Sequence, residues 1–156
     1  MLHLIPARLH RALLPLGHAL RKAWMRTFKP RIAGVAVFIT DDAGQVLLVR
    51  QSYGPRAWTM PAGGAGLSED PALAIRREVR EELACELTDL VMLYHGEEEL
   101  WGARHHVHVF RARAASAPVA DLREVLEARW FPRDALPRHM AGPLRRRLHL
   151  LDDPHL

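Results

Sequence analysis

The segment GGAGLSEDPALAIRREVREELAC, residues 63–85, decides the fold of this chain, because it places three glutamates on one helix behind a glycine-rich loop. Residues three or four positions apart are neighbours on a helix, so the Cβ atom of Glu78 lies roughly 5–6 Å from those of Glu81 and Glu82. Like charges at that spacing repel, which weakens the helix and raises the carboxylate pKa values. A divalent cation that prefers oxygen ligands would reverse both effects, with Mg²⁺ the first choice and Mn²⁺ the second.

The alternative interpretation is a solvated helix face on which the glutamates pair with arginines, as most charge runs do. Three arginines of the same helix are in position for this: Arg76, Arg77 and Arg80. The surrounding sequence favours the metal site. Gly63 precedes Glu69 by six positions, and Glu69 precedes Arg77 by eight, after which come Glu78, Val79, Glu81, Glu82, Ala84 and Cys85.

This order resembles the Nudix box, G-x5-E-x7-R-E-U-x-E-E-x-G-U, where U is a bulky aliphatic residue. Seven of the nine specified positions match, whereas Cys85 is a weak apolar substitute and Ala84 stands where the box has glycine. The chain thus resembles the Nudix (MutT-like) hydrolases. That resemblance implies an α/β/α sandwich with a mixed β-sheet and a catalytic loop followed by a helix.

The flanking sequence extends the resemblance from about Ile32 to Leu150. Apolar runs rich in β-branched and aromatic residues predict strands, and DDAG at 41–44 is a hairpin signal between the first two. WTMPAGG, residues 58–64, resembles the family's approach to the box. The segments with strand signals are 31–40, 45–50, 87–96, 104–113 and 127–137, and the last resembles the family's closing strand and short helix.

The resemblance also implies a chemistry for the glutamates. A diphosphate bond resists water because its anionic oxygens repel nucleophiles, so a catalyst must neutralise that charge and orient or deprotonate a water molecule. By resemblance, Glu78, Glu81 and Glu82 bind the metal, the Gly63 carbonyl adds a ligand, and Arg77 braces the glutamates. The implied reaction is hydrolysis of a diphosphate bond in a nucleoside diphosphate linked to another moiety.

The general base is a separate question, because members of the family differ in which glutamate serves. The three box glutamates stay candidates, but the preferred one is Glu124, six residues before Trp130, where some relatives supply an extra acidic residue. Glu97, Glu98 and Glu99, in the turn expected after a strand, are alternatives. Either set could instead be exposed loop carboxylates.

A different class of function is also open: a chain of this fold could sense a nucleotide without cleaving it. Such proteins usually lack one or more of the box acids. This chain keeps Glu69, Glu78, Glu81 and Glu82, so hydrolysis is favoured over sensing.

Substrate selection depends on residues outside the box, about which the sequence says less. Basic and aromatic side chains near the predicted loop-helix could contact a phosphate or stack on a base, although basic loop residues are more often plain surface. The candidates are Arg50, Tyr53, Arg56 and Arg104, with Trp101 near the last of them.

The histidines and the cysteine have plain structural explanations. On a strand, His106 and His108 share one face and Val107 takes the other, so the histidines are expected to be exposed or substrate-facing. No CxxC or HExxH pattern supports a zinc site. Cys85 is expected to pack at the end of a helix, since nothing around it would activate a thiol.

The limits of the helix can also be predicted. Asp70 and Pro71 suit an N-cap and a first helical position, and by resemblance Glu69 fixes the loop before them. Ala84 stands where the family's glycine ends the helix in a left-handed conformation. Alanine there would cost on the order of 1 kcal/mol or force another cap.

Length and composition fit one domain. A chain of 156 residues with 49% hydrophobic content can bury a single core, which we assign to residues 31–152, after an N-terminal extension of residues 1–30. Cys85 is the only cysteine, so no intramolecular disulfide can form and a cytoplasmic location is expected.

The extension differs from the rest of the chain in charge. Residues 1–31 carry seven arginines and lysines and no acid, which leaves a net charge of −3 on the remainder of a chain whose total is +4. Apolar residues recur at steps of three or four, but Pro15 and Gly17 predict two helical pieces rather than one.

Several partners suit such an extension. Packing on its own domain or on a second subunit of a homodimer is favoured over a membrane surface, and a targeting or frayed segment is the remaining option. The charge of −3 on the body argues against extended nucleic-acid binding unless the extension supplies the basic contacts.

Overall fold

The structure is a computed structural model that describes residues 20, 23, 24, 27, 31–54 and 56–152. The four described residues before Arg31 are helical. The rest of the basic extension lies outside the described residues, so its helical pieces, its roles at a membrane or a second subunit, and the domain limits stay predictions. Within the described residues, no helix has both the length and the apolar character needed to cross a membrane.

Seven strands and two helices make up the described fold. The elements are β1 (Arg31–Thr40), β2 (Val46–Gln51), β3 (Trp58–Thr59), β4 (Ala62–Ala65), α1 (Pro71–Leu83), β5 (Leu87–Leu100), β6 (Ala103–Ala114), β7 (Val125–Phe131), α2 (Gly142–Arg147) and a final 3₁₀ turn (Leu148–Leu151). The hairpin predicted at 41–44 is present, since the Asp41 carboxylate accepts the Gln45 N–H at 2.8 Å.

β1 is the central strand of one mixed sheet. Along one edge it runs parallel to β6, and β6 in turn pairs antiparallel with β5. Along its other edge, β1 pairs antiparallel first with β4 and then with β2, while β3 and β7 both pair with β2. The predicted mixed sheet is therefore confirmed.

Both faces of β1 are buried, which gives the sandwich its layers. Because successive side chains of a strand point to opposite faces, Val35, Val37 and Ile39 pack against α1, while Ala36 and Phe38 pack toward α2. Helices thus cover opposite faces of the sheet, as the sequence predicts. Val107 and Val109 join the second cluster, and Cys85 is fully buried in the first.

Two local predictions are wrong. β5 continues to Leu100, so Glu97, Glu98 and Glu99 lie within the strand and the turn falls at 101–102. The extra residues pair with the start of β6, a contact that strand propensity alone does not reveal.

The short helix expected before Pro137 is also absent from the described structure. β7 ends at Phe131, and a turn follows in which the Ala135 N–H donates to the Pro132 carbonyl at 3.0 Å. A proline disfavours helical conformation in the residue before it, so Pro137 interrupts any helix through Leu136. The next helix, α2, begins only at Gly142.

The limits of α1 agree with the sequence. Asp70 caps its start, since its carboxylate accepts the Ala72 N–H at 2.8 Å, and Pro71 occupies the first turn. Ala84 ends it in the left-handed conformation, with φ 47° and ψ 32°, and its N–H donates to the Arg80 carbonyl at 3.1 Å. The family's glycine position is thus occupied by alanine without a change of cap geometry.

Ala84→Gly is expected to raise the free energy of unfolding by about 1 kcal/mol, because glycine adopts the left-handed conformation without the Cβ penalty. The matched control is Ala72→Gly, in the first turn of α1, which should lower it by roughly 0.5–1 kcal/mol. Denaturant unfolding measures both. Equal losses for the two variants would contradict the strain assigned to Ala84.

Candidate active site

The glutamates of α1 face β4 at very short range. Gly63 in β4 pairs with Val35 of β1, and a Cβ atom built on Gly63 would lie 2.1 Å from the Cδ atom of Glu78. Only glycine therefore leaves room for the Glu78 carboxylate against the strand. The arrangement places the Gly63 backbone and the Glu78 side chain side by side.

Arg77 ties the loop before α1 to the helix. Its Nε donates to Glu69 at 3.2 Å, its Nη1 to Glu78 at 2.7 Å, and its Nη2 to the Gly64 carbonyl at 3.1 Å. Glu69 also accepts the Gly66 N–H at 2.8 Å, and this bond together with Arg77 holds the pKa of Glu69 below its ordinary value. Pairing with Glu69 and Glu78 raises the pKa of Arg77, so the brace is charged.

Glu82 is a buried carboxylate surrounded by other carboxylates. It is 6% exposed, and burial, reinforced by Glu78, Glu124, Asp121 and Glu81, raises its pKa to about 9. Burial likewise raises the pKa of Glu78, although Arg77 opposes that shift. In the described residues Glu82 has no ion pair, so this negative cluster lacks a compensating cation on its buried side.

The loop before β7 holds Glu124 in a fixed position. The Asp121 carboxylate accepts the N–H groups of Arg123, Glu124 and Val125 at 3.0, 3.1 and 2.9 Å. From the other side, Ser52 donates its N–H to the Glu124 carbonyl at 2.8 Å and its hydroxyl to the Arg123 carbonyl at 2.7 Å. Neither Asp121 nor Ser52 is among the sequence candidates. The only sequence signal is that Asp often closes such turns on the following N–H groups.

The same loop is joined to the end of α1. The N–H of Val119 donates to the Leu83 carbonyl at 2.7 Å, and that of Asp121 to the Glu82 carbonyl at 2.9 Å. The last carbonyls of a helix have no partner within it, so the loop satisfies two of them. Glu124 is thereby brought to the buried side of the glutamate helix.

These elements enclose a cleft of about 440 Å³, here called the carboxylate cleft. Its walls combine the glutamates with small backbone segments and several polar or aromatic side chains. The lining residues used below are Gly34, Gln51, Tyr53, Ala62, Gly63, Glu78, Glu81, Glu82, Leu100, Trp101, His105 and Glu124. All five residues predicted as metal ligands or as the base, namely Gly63, Glu78, Glu81, Glu82 and Glu124, thus meet in one place.

The predicted substrate contacts are divided between the cleft and the surface. Tyr53 lines the cleft. Arg50 instead pairs with Glu127 at 2.6 Å, Arg104 lies 3.8 Å from Glu97, and Arg56 is exposed. None of these three arginines lines the carboxylate cleft. Arg50 and Arg104 are instead held by glutamates of neighbouring strands.

His105 lines the carboxylate cleft, whereas the sequence presents it only as one of three neighbouring strand histidines. Its ring lies over Gly34, where an added Cβ atom would be 2.4 Å from the His105 Nε2. The alternation of side chains along β6 predicts the sheet face on which His105 lies. The register between β6 and β1 then places Gly34 beneath its ring.

The donor set fits a hard divalent cation. Its members supply only carboxylate and carbonyl oxygens, which Mg²⁺ and Mn²⁺ prefer, and the raised pKa values of Glu78 and Glu82 mean that their ionised forms are disfavoured until a cation binds. Among the described residues, no three His, Cys, Asp or Glu side chains already form a metal-binding group. This holds for the strand histidines too, and His106 instead lies 3.4 Å from Glu97.

Comparison with known proteins gives one family. The NUDIX domain family model matches residues 30–151. A segment of 54 residues is 41% identical to an RNA pyrophosphohydrolase of Rhodospirillum rubrum, and one of 66 residues is 39% identical to an RNA pyrophosphohydrolase of Pseudomonas putida. These segments cover 35% and 42% of this chain but only 33% and 39% of the two relatives.

Solved structures give the same fold. A MutT NUDIX hydrolase from Burkholderia pseudomallei superposes with a TM-score of 0.68 at 24% identity, covering 77% of this chain and 97% of that one. A MutT protein from Methanosarcina mazei Go1 superposes with a TM-score of 0.66 at 22% identity, covering 81% and 96%. At these identities the likeness is one of fold.

Proposed function

Because this chain belongs to the Nudix family, we propose that it hydrolyses a diphosphate bond in a nucleoside diphosphate linked to another moiety, with Mg²⁺ or Mn²⁺ as cofactor. The observation that carries the proposal is the meeting of Glu78, Glu81, Glu82 and Glu124 with Gly63 around one cleft. Burying a member of a carboxylate cluster on folding costs free energy, and a bound cation would offset that cost.

In this proposal, Glu78, Glu81 and Glu82 with the Gly63 carbonyl hold the cation. When bound, the cation supplies charge neutralisation at the phosphate oxygens and makes a nearby water more acidic. Arg77 holds Glu78 and the loop before α1 in position through its hydrogen bonds to Glu69, Glu78 and the Gly64 carbonyl. The close fit of Gly63 against Glu78 sets where that carboxylate can point.

Glu124 is the proposed general base. It lies on the loop before β7, which is hydrogen-bonded to the end of the helix, and its charge acts on both Glu78 and Glu82. Hydrogen bonds to Asp121 and Ser52 hold the backbone of Glu124, so the position of its carboxylate is restricted. A group so placed can take a proton from an attacking water while the helix glutamates hold the cation.

Because the curated relatives are named RNA pyrophosphohydrolase, a capped RNA end is one substrate to test, beside nucleotide sugars, dinucleoside polyphosphates, oxidised nucleotides and coenzyme-like diphosphates. We propose a small-molecule nucleoside diphosphate derivative as the first choice, because the body of the chain carries a net charge of −3, which opposes binding to a nucleic-acid backbone. The single cysteine supports a reducing compartment, and we propose the cytoplasm.

The proposal predicts that a panel of these substrates will contain at least one that is cleaved with Mg²⁺ or Mn²⁺ and not with EDTA. Product identification in ¹⁸O-labelled water names the attacked phosphorus, since the label enters the product that water attacked. Tight binding of a diphosphate without cleavage under either metal would instead make this chain a nucleotide sensor.

A further inference from the structure

The outer side of β5 is a long strand edge to which no other strand pairs in the described part of the chain. The strand order is β3-β2-β1-β6-β5, so β6 pairs with one side of β5 and the other side is open. The register of β5 shifts twice, between Thr88 and Val91 and between Met92 and Tyr94. Bulges of this kind disfavour the addition of a further strand. A partner of β5 would therefore contact its side chains rather than extend the sheet.

The side chains of β5 form an apolar centre between two acidic ends. Val91 and Met92 are large hydrophobic side chains that are 37% and 44% exposed. Asp89 lies before them, Glu97 and Glu99 follow them, and all three acids are exposed. The strand contains no arginine or lysine. A partner that presents apolar side chains among basic ones is therefore complementary to β5.

Most of the negative charge of β5 is available to such a partner. Glu98, the remaining acid of the strand, pairs with the buried Arg147 and is used by the fold. Glu97 contacts only side chains that are themselves well exposed, and such pairs contribute little. Among the described residues, Asp89 and Glu99 have no ion pair. The acids at both ends of the apolar centre can thus attract a basic segment.

The basic N-terminal extension has the complementary character. Residues 1–31 carry seven arginines and lysines and no acid, and apolar residues recur among them at steps of three or four. The described positions before Arg31 are helical. Two of them hold large apolar side chains at the surface, since Leu20 is 63% exposed and Trp24 is 49% exposed. Positions four apart share one face of a helix, so these two side chains form one apolar patch.

A single copy of the chain leaves both surfaces uncovered. Leu20 and Trp24 in the extension are exposed, and so are Val91 and Met92 on β5. The described helix of one copy therefore does not cover its own β5. In a two-fold dimer the extension of each copy can lie on β5 of the other, and the symmetry forms the contact twice. Tryptophan is among the side chains that contribute most when an interface buries them.

We propose that the basic extension of one copy binds the outer edge of β5 in a second copy, with Leu20 and Trp24 against Val91 and Met92. The arginines and lysines of the extension then face the exposed acids of β5. None of these four apolar residues lines the carboxylate cleft, so the proposal is independent of the proposed function.

Sedimentation equilibrium of the full chain measures the dimer and its dissociation constant. Trp24→Glu and Met92→Glu should each raise that constant at least about tenfold, because each places a charge in an apolar contact. Leu73→Glu is the matched control, since Leu73 is an apolar side chain of α1 that is 63% exposed, and it should change the constant less than about twofold. Raising the salt concentration from about 0.1 to about 1 M should weaken the dimer severalfold. Melting curves check that each variant is folded.

A mixture of the two interface variants tests the exchange of extensions directly. The Trp24→Glu copy keeps an intact β5 and the Met92→Glu copy keeps an intact extension, so a mixed dimer retains one of the two contacts. The mixture should therefore associate more tightly than either variant alone. A monomeric full chain would overturn the proposal, including one that binds vesicles of anionic lipid. A dimer that either substitution leaves intact, an equal effect of Leu73→Glu, or a mixture that associates no better than the separate variants would also overturn it.

Discussion

Glu82→Gln is expected to lower kcat by about 10²-fold or more while it makes the metal-free protein more stable. Glu82 is buried among Glu78, Glu81, Glu124 and Asp121, and this environment raises its pKa to about 9. At neutral pH and without a cation, the Glu82 carboxyl group therefore takes up a proton when the chain folds, and this uptake costs free energy. Glutamine keeps the shape and is neutral in both the folded and the unfolded chain, which should add about 1–3 kcal/mol to the free energy of unfolding in EDTA.

The prediction is specific because the same substitution should lower kcat and raise the free energy of unfolding. Steady-state turnover with Mg²⁺ gives the first effect, and denaturant unfolding at neutral pH in EDTA gives the second. Mg²⁺ should raise the melting temperature of the original protein and raise that of the variant much less. Glu86→Gln is the control, because Glu86 is exposed, lies beyond α1 and pairs with Arg80 rather than with the cleft. Full turnover by the Glu82 variant would remove this residue from the proposed metal set.

Gly63→Ala should lower kcat/KM by about 10²-fold and cost little stability. The added methyl group would lie 2.1 to 2.4 Å from three atoms of the Glu78 side chain. Those atoms belong to the flexible end of that side chain, so the structure can relieve the clash by moving the carboxylate. The fold is then kept while Glu78 loses its position beside the Gly63 carbonyl.

The next residue supplies the control. A Cβ atom on Gly64 would have no heavy atom within 4 Å, so Gly64→Ala should behave like the original protein in both turnover and unfolding. Both variants carry the same substitution in the same short strand, and only the contact with Glu78 differs. A similar loss of activity in the two would mean that β4 tolerates no methyl group for reasons unrelated to Glu78.

Local signals in the sequence account for much of the fold. Asp70, Pro71 and Ala84 define the ends of α1 because capping depends on a few adjacent residues. The alternation along β6 and the turn at 41–44 are equally local. The spacing of the box glutamates places them on one helix face for the same reason.

What the sequence does not reveal depends on contacts between distant segments. Asp121 matters because its loop meets the end of α1, and nothing near it in the chain indicates that meeting. Arg50 pairs with Glu127, which lies opposite it in the β2–β7 register, and Arg104 pairs with Glu97, which lies diagonally across the β5–β6 register. The cavity of about 260 Å³ between β1, β6 and α2 likewise needs residues 36, 60, 107 and 146 to come together, so no local pattern predicts it.

The two hydrogen bonds from the loop of Val119 and Asp121 to the carbonyls of Leu83 and Glu82 have a consequence for local unfolding. Helix ends fray readily when nothing holds their last carbonyls. Here the end of α1 cannot fray without releasing the loop, and the loop cannot open without exposing the helix end. The buried Glu82 and the loop that carries Glu124 therefore form one cooperative unit. We therefore expect local unfolding to remove both from the cleft together, which hydrogen exchange at the two segments would show as equal protection.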